Sequence, residues 1–447
     1  MNVSGLKSRV EQRIIDRINI MDLTEKGWLQ KYIEFRKGIM APVLNGNSEY
    51  QKLIYKTFQP TGIMYGHPLN MPDFIDLDLN DWPVKERTKL IFTEAIISSG
   101  IIINSNKEGN PDFQFITDLQ KSIKNFYSTM KSGSFSFLSF GKNKTDIQIA
   151  ENLLNKRIVV KAGWNASFWQ GFFQNLLLFS DILIMINYFK SGRLDAIKEK
   201  QERLRVKALT IMAAAAFADG EIDASERKLF DFFVESAELQ SVQKKKILSL
   251  LDGSPDLDSI GDFNDEVWLE KKYLLELAIL TVWADRNLHQ KEEDFLVKLN
   301  ERMGFDEVEL HASMAAIESF VMNNWERVHY LQSKQNYLIV SKRLTGRMSK
   351  IALKYKHEIG NEIKESKELV SLINKSRTSS LTVDEKAKIR QQLVDILKSV
   401  PAFVVIALPF SFLTLPILFK ILPKSVFPSS FDENKILKTD KKGFISE

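Results

Sequence analysis

Cysteine is absent from all 447 residues, which excludes disulfides, thiol nucleophiles and Cys-ligated zinc or iron–sulfur centres. Histidine is scarce. His67, His289, His311, His329 and His357 form no H-E-x-x-H arrangement, and their wide separation reads each as a surface or core residue rather than part of a ligand set. No P-loop is present, because Gly141-Lys142 is followed by Asn143 and lacks a glycine at the required distance; no dinucleotide-binding glycine pattern appears either. An excess of one charge is also missing. The 62 Lys+Arg against 57 Asp+Glu leave +5, which over this length is no nucleic-acid signature, so no phosphate-tracking surface and no DNA partner are expected. Lys7, Arg9, Glu11 and Arg13 stand where a secretory signal needs its apolar run, so the bulk of the chain is expected in the cytoplasm. With no nucleophile or acid–base set to nominate, the chain reads as something other than an enzyme.

What the sequence does contain is helical periodicity, which predicts an all-α, multi-domain protein. Residues 1–131 read as a mostly helical N-terminal domain, interrupted by a Gly- and Pro-containing loop over 58–83. Within it Asp76, Asp78 and Asn80 have calcium-loop spacing, but Asp81 replaces the turn glycine and Arg87 the final Glu, so a solvated turn is expected. Residues 132–145, rich in Ser, Gly and Phe, mark a flexible boundary. An apolar helical segment follows over 146–198, then a helical domain over 199–305 and long charged helices over 306–376 whose charged faces read as solvated. An amphipathic helix and an apolar segment occupy 377–434, and 435–447 is a basic tail.

The stretch Ser167–Phe189 is apolar but carries Gln170, Gln174, Asn175, Asp181 and Asn187. A carboxylate near a bilayer centre costs about 2.5 to 3.5 kcal/mol on the insertion scale. That cost favours a buried or interface-lying helix over a span or re-entrant segment.

Two acidic turns punctuate the 199–305 domain. In the first, Asp219, Glu221 and Asp223 alternate, and Asp223 to Glu226 has capping-box spacing. An EF-hand is excluded, since Ala224 and Phe230 stand where its Gly and bidentate Glu belong. The pattern returns 66 residues later, with Asp285 aligned to Asp219 and Glu292 to Glu226. The Ala-Asp-Gly turn followed by an acidic helix start resembles the tellurite-resistance TerB-like helical bundle, and relatives of that kind carry an acidic patch suited to a divalent cation. The resemblance therefore nominates Asp219, Asp223, Glu226, Asp285 and Glu292 as ligands for Ca or Mg, against the plainer reading of turn and capping chemistry alone. Arg286 and His289 depart from the pattern in the second half.

Val400–Phe419 is a run of twenty residues without a charge, flanked by Lys398 and Lys420. At about 1.5 Å per residue that length reaches across a hydrocarbon core of about 30 Å, so the run is expected to embed in a lipid bilayer, the alternative being a buried terminal hairpin. Pro409 and Pro416 predict a bent or broken element, with Ser411 or Thr414 satisfying freed carbonyls. Lysines on both sides leave orientation open. Upstream, Thr382 to Glu385 has capping-box spacing and opens an amphipathic helix through Ile389, Leu393, Ile396 and Leu397.

This helix, with Val400, Pro401, Pro409, Phe410, Pro416, Lys420, Pro423, Pro428, Ser429 and Phe431, resembles the transmembrane region of the LETM family of cation-homeostasis proteins over about 345–434. The resemblance implies a proline-kinked membrane segment, an inner-membrane location, a link to potassium/proton or calcium/proton exchange and, in some members, contact with ribosomes. Phe412 stands where eukaryotic members have Glu, which weakens the case for exchange by this chain alone. The family's ribosome-binding domain, expected after the membrane segment, has little room before Glu447. Together the two regions resemble bacterial LETM-related biofilm-associated proteins. The reading is a membrane-associated scaffold or regulator in cation homeostasis or envelope stress, with a homo-oligomer or a membrane protein as partner; the alternative is an oligomeric cation/proton transporter.

Overall fold

In the computed structural model the periodic blocks are helices, and no strand occurs among the described residues. Described are residues 25–39, 49–105, 114–129, 144–158, 177–195, 197–218, 239–253, 255–283, 290–327, 337–404, 406–408, 412–429 and 431–437, with isolated positions between 220 and 237. The chain divides into two compact units, Met1–Phe295 and Leu296–Glu447.

The first unit holds α1 (Trp28–Lys37), α2 (Tyr50–Phe58), α3 (Val84–Asn104), α4 (Gln114–Thr129), α5 (Asp146–Arg157), α6 (Leu178–Ser191), α7 (Ile197–Ala216), α8 (Ser241–Asp252), α9 (Leu257–Ile260) and α10 (Trp268–Trp283). Nearly the whole of α3 past its first turn is buried, the polar Lys89, Thr93, Glu94, Ser98 and Ser99 included. It packs against α6, which packs on α7, and α7 packs on α10; α4 pairs with α5. Gly100 lets the Phe115 ring approach α3 so closely that a Cβ there would lie 2.0 Å from it. The N-terminus of α1 is held from α5: Glu151 accepts from the backbone N–H of Gly27 at 2.9 Å and of Leu29 at 3.2 Å.

Two sequence expectations meet the structure here. Asp78 accepts from the Asn80 backbone N–H at 2.8 Å in an exposed turn, which accounts for that acidic loop without a cation. In the 167–189 stretch, residues 178–189 belong to α6, a helix buried through most of its length; residues 167–176 lie outside the described residues.

The helix α11 (Gln290–Arg302) contains the division between units. The second unit continues with α12 (Glu307–Asn323), α13 (Tyr337–Lys354), α14 (Lys356–Glu365), α15 (Lys367–Lys375), α16 (Val383–Ser399), α17 (Pro401–Val404), α18 (Leu415–Ile421) and α19 (Glu433–Leu437). Helices α12 and α13 form its most extensive pairing. The capping box of α16 is formed as its spacing predicts: Glu385 N–H donates to Thr382 Oγ1 at 3.2 Å, and Thr382 N–H to Glu385 Oε2 at 2.9 Å.

Among the described residues of Val400–Phe419 no membrane-spanning helix is found. Helix α17 has four residues and α18 seven, and no helix among the described residues is long and apolar enough to cross a membrane. Proline explains the break. Pro401 opens α17 and Pro416 lies in the first turn of α18, and the described residues 406–408 and 412–414 between these helices are not helical, so side chains sort by environment rather than around one axis. Phe403, Ile406, Phe412, Leu413, Leu418 and Phe419 are buried in one core with Leu344, Met348, Ile389 and Leu393, while Pro401, Thr414, Pro416 and Lys420 are exposed. The described part of the run thus contributes to the core of the second unit.

Candidate functional site

In the second unit, polar contacts pin the broken run to its neighbours. The Ala407 carbonyl accepts from the Ser319 hydroxyl and, at 2.9 Å, from the Asn323 side-chain amide, both on α12. The Leu413 carbonyl accepts from Arg390 Nε of α16 at 2.7 Å. Each bond satisfies a carbonyl that proline-broken helix geometry leaves without an intrahelical donor.

Beside that anchor, Glu318 is fully buried on α12, and its Oε1 accepts from Arg347 Nε of α13 at 2.9 Å. Its Oε2 is buried with no hydrogen bond. Burial pushes the carboxyl up to about 7, outweighing the opposing pull of Arg347 and Arg343. The charged faces of 306–376, expected to be solvated, therefore turn one carboxylate inward. His311, one turn into α12, is buried with Nε2 3.1 Å from Glu307 Oε1.

The described surface between 381 and 437 is of a different character. Lys398 on α16, Lys420 on α18 and Lys424 just after it are exposed and pair with no carboxylate among the described residues. The whole second unit has 24 Lys+Arg against 17 Asp+Glu, net +7, whereas residues 1–295 have 38 against 40, net −2. The near-neutral total conceals a polarised chain.

Among the buried acidic residues described in the first unit, Asp181, Glu94 and Glu276 form polar centres that the sequence did not reveal as sites. Asp181 on α6, noticed only as a costly charge in an apolar run, accepts from Arg157 Nε at 2.5 Å, Arg205 at 2.7 Å, Gln201 at 3.0 Å and Tyr127 at 3.1 Å. Burial alone would raise its carboxyl, but the two guanidinium groups outweigh that and bring it to about 2. Glu94 on α3 accepts from Tyr32 at 2.6 Å and from Arg36 Nε at 2.9 Å, with both partners on α1. Glu276 on α10 accepts from the hydroxyls of Tyr55 and, at 2.9 Å, Tyr65. Each ties helices far apart in sequence, and each carboxylate is saturated by donors, so these centres read as structural ties rather than acid–base catalysts.

Of the nominated cation ligands, Asp219, Asp223, Glu226 and Asp285 lie outside the described residues. Glu292 is buried on α11. Among the described residues no cluster of three or more His, Asp or Glu suits a metal ion. Of the nominated membrane-segment residues, Pro401, Thr414, Pro416 and Lys420 are exposed, and Pro409, Phe410 and Ser411 lie outside the described residues.

No curated protein and no solved structure matches the chain. One family model does, over residues 381–443, and its description is "LETM1-like, RBD". The LETM-like character of the C-terminal region is thereby supported, and the matched residues include the apolar run 400–419 that the sequence reading assigned to a membrane segment.

Proposed function

We propose that this chain is a membrane-associated helical scaffold of LETM type, acting in cation homeostasis at the cytoplasmic side of a bacterial inner membrane, and that its C-terminal unit docks ribosomes. The observation that carries the reading is the family match over 381–443, with RBD taken as a ribosome-binding domain. On this reading the domain does not follow the apolar run but contains it. The net +7 of residues 296–447, with Lys398, Lys420 and Lys424 exposed, suits a partner rich in RNA phosphate. No side chain is asked to perform covalent chemistry.

The test is co-sedimentation of the full-length protein with purified bacterial ribosomes at low and high salt. Pelleting at low salt that weakens as salt rises, and that falls about tenfold in a Lys398→Glu/Lys420→Glu/Lys424→Glu variant, is expected. Protein left in the supernatant at low salt overturns the docking. The alternative of an oligomeric cation/proton transporter draws on the same match. Purified protein in liposomes that gives no potassium- or calcium-driven proton flux rules it out.

A further inference from the structure

Among the described residues eight large hydrophobic side chains are exposed, and four of them, Tyr337, Leu338, Ile339 and Leu353, lie on the single helix α13. The inner face of that helix is an ordinary core stripe, Val340, Leu344, Met348, Ile351 and Ala352. Its outer face is unusual. At about 100° per residue, Leu338, Ile339, Lys342, Gly346, Lys350 and Leu353 fall on one side, and all six are exposed, Leu338 at 72%, Ile339 at 49% and Leu353 at 56%. Aliphatic side chains therefore stand at both ends of a stripe about 22 Å long, with lysines between them. In its 18 residues α13 has five basic side chains and no acidic one. Arg347 pairs with Glu318, Lys354 pairs with Asp306 and the half-buried Arg343 lies near enough to Glu318 to act on its carboxyl, which leaves Lys342 and Lys350 on the outer stripe. At the N-terminal end the Tyr337 ring meets Trp325 edge-on with centroids 5.2 Å apart, placing two amphipathic aromatics beside the exposed aliphatics.

We infer that the outer face of α13 is a membrane-contact surface that lies flat on an anionic lipid bilayer. Leu338, Ile339 and Leu353 enter the acyl boundary, Tyr337 and Trp325 sit at the headgroup level, and Lys342 and Lys350 extend to lipid phosphates. Charge complementarity selects this occupant: an acid-free basic helix attracts an anionic surface, and side chains as apolar as Leu and Ile gain nothing from a phosphate backbone alone. The inference deepens the membrane-associated reading above and supplies an attachment that requires no spanning helix. It uses residues outside the matched 381–443, and so different ones from the Lys398, Lys420 and Lys424 that test ribosome docking.

Flotation of the full-length protein with phosphatidylcholine vesicles, with and without phosphatidylglycerol, tests it. The wild type is expected to float with anionic vesicles and not with neutral ones. Leu338→Ser/Ile339→Ser/Leu353→Ser and, separately, Lys342→Glu/Lys350→Glu are each expected to cut the floated fraction at least about tenfold with unchanged circular dichroism and unchanged ribosome co-sedimentation. Because all five positions are exposed, the folded core is untouched by either variant. Wild-type protein that floats with no vesicle overturns both this inference and the membrane reading. Variants that float like the wild type overturn this surface alone. Variants that float normally but lose ribosomes assign the stripe to RNA and overturn the lipid assignment.

Discussion

Arg347 reaches Glu318 through Nε, at 2.9 Å from one carboxylate oxygen, and leaves the other buried oxygen without a hydrogen bond. A carboxyl held at about 7 takes up a proton that the unfolded chain, near the ordinary 4.5, releases much earlier. The folded state therefore binds more protons between those values, and the associated stability is complete below about 4.5 and lost as pH rises through about 7. Glu318→Gln is expected to flatten that dependence, with a wild-type difference of up to about 3 kcal/mol between pH 4.5 and 8. Thermal denaturation of both proteins across this range checks it; parallel curves would dismiss Glu318 as the titrating group.

Asp181 carries the opposite sign. With its carboxyl at about 2, below the ordinary 3.8, its contribution is present above about pH 4 and disappears as pH falls toward 2. Asp181→Asn leaves Arg157 and Arg205 buried without their counter-charge, and a loss of about 3 to 5 kcal/mol is expected by urea denaturation. A loss below about 1 kcal/mol would mean that the pair is solvated in the folded protein.

The Ala407 carbonyl depends on Ser319 and Asn323. Ser319→Ala with Asn323→Ala strips both donors, and a destabilisation of about 1 to 3 kcal/mol is expected. Hydrogen exchange should show faster exchange of the amide of Leu408 while the amides within α16 stay protected.

Thr382→Ala breaks one half of the capping box that starts α16 and is expected to cost about 1 kcal/mol. Restoration by Ser but not by Val, read as the denaturation midpoint, distinguishes the hydrogen bond from side-chain bulk.

The divalent-cation proposal is settled by calorimetric titration of the intact protein with Ca and Mg. Heat that saturates and is abolished in Asp219→Ala/Asp223→Ala supports those ligands; no heat with either ion retires them.

Local features were legible in the sequence and long-range ones were not. Thr382 and Glu385 lie three residues apart and the backbone brings them together, so spacing was enough. Asp181 was visible as an expensive charge, but Arg157 and Arg205 sit on other helices, 24 residues away on either side, and no local pattern joins them. Glu318 and Arg347 looked like members of solvated faces because a helix rich in charge seldom announces which one is turned inward. The terminal apolar run misled for another reason: hydropathy adds up side chains along the chain, whereas Pro401 and Pro416 redirect the backbone and let a twenty-residue run divide into a buried set and an exposed set.

The broken run also fixes an order of events during synthesis. Much of the surface that receives Phe403, Phe412 and Leu418, including Leu344, Met348, Ile389 and Leu393, precedes the run in the chain, while Val426, Phe427 and Ile436 of the same core follow it. Translation therefore delivers much of the receiving surface before the segment whose hydropathy most resembles a membrane insertion signal. Whether the segment is packed or captured by insertion machinery then becomes a contest of rates, one that slowing the folding of α12 and α13 would tip toward capture.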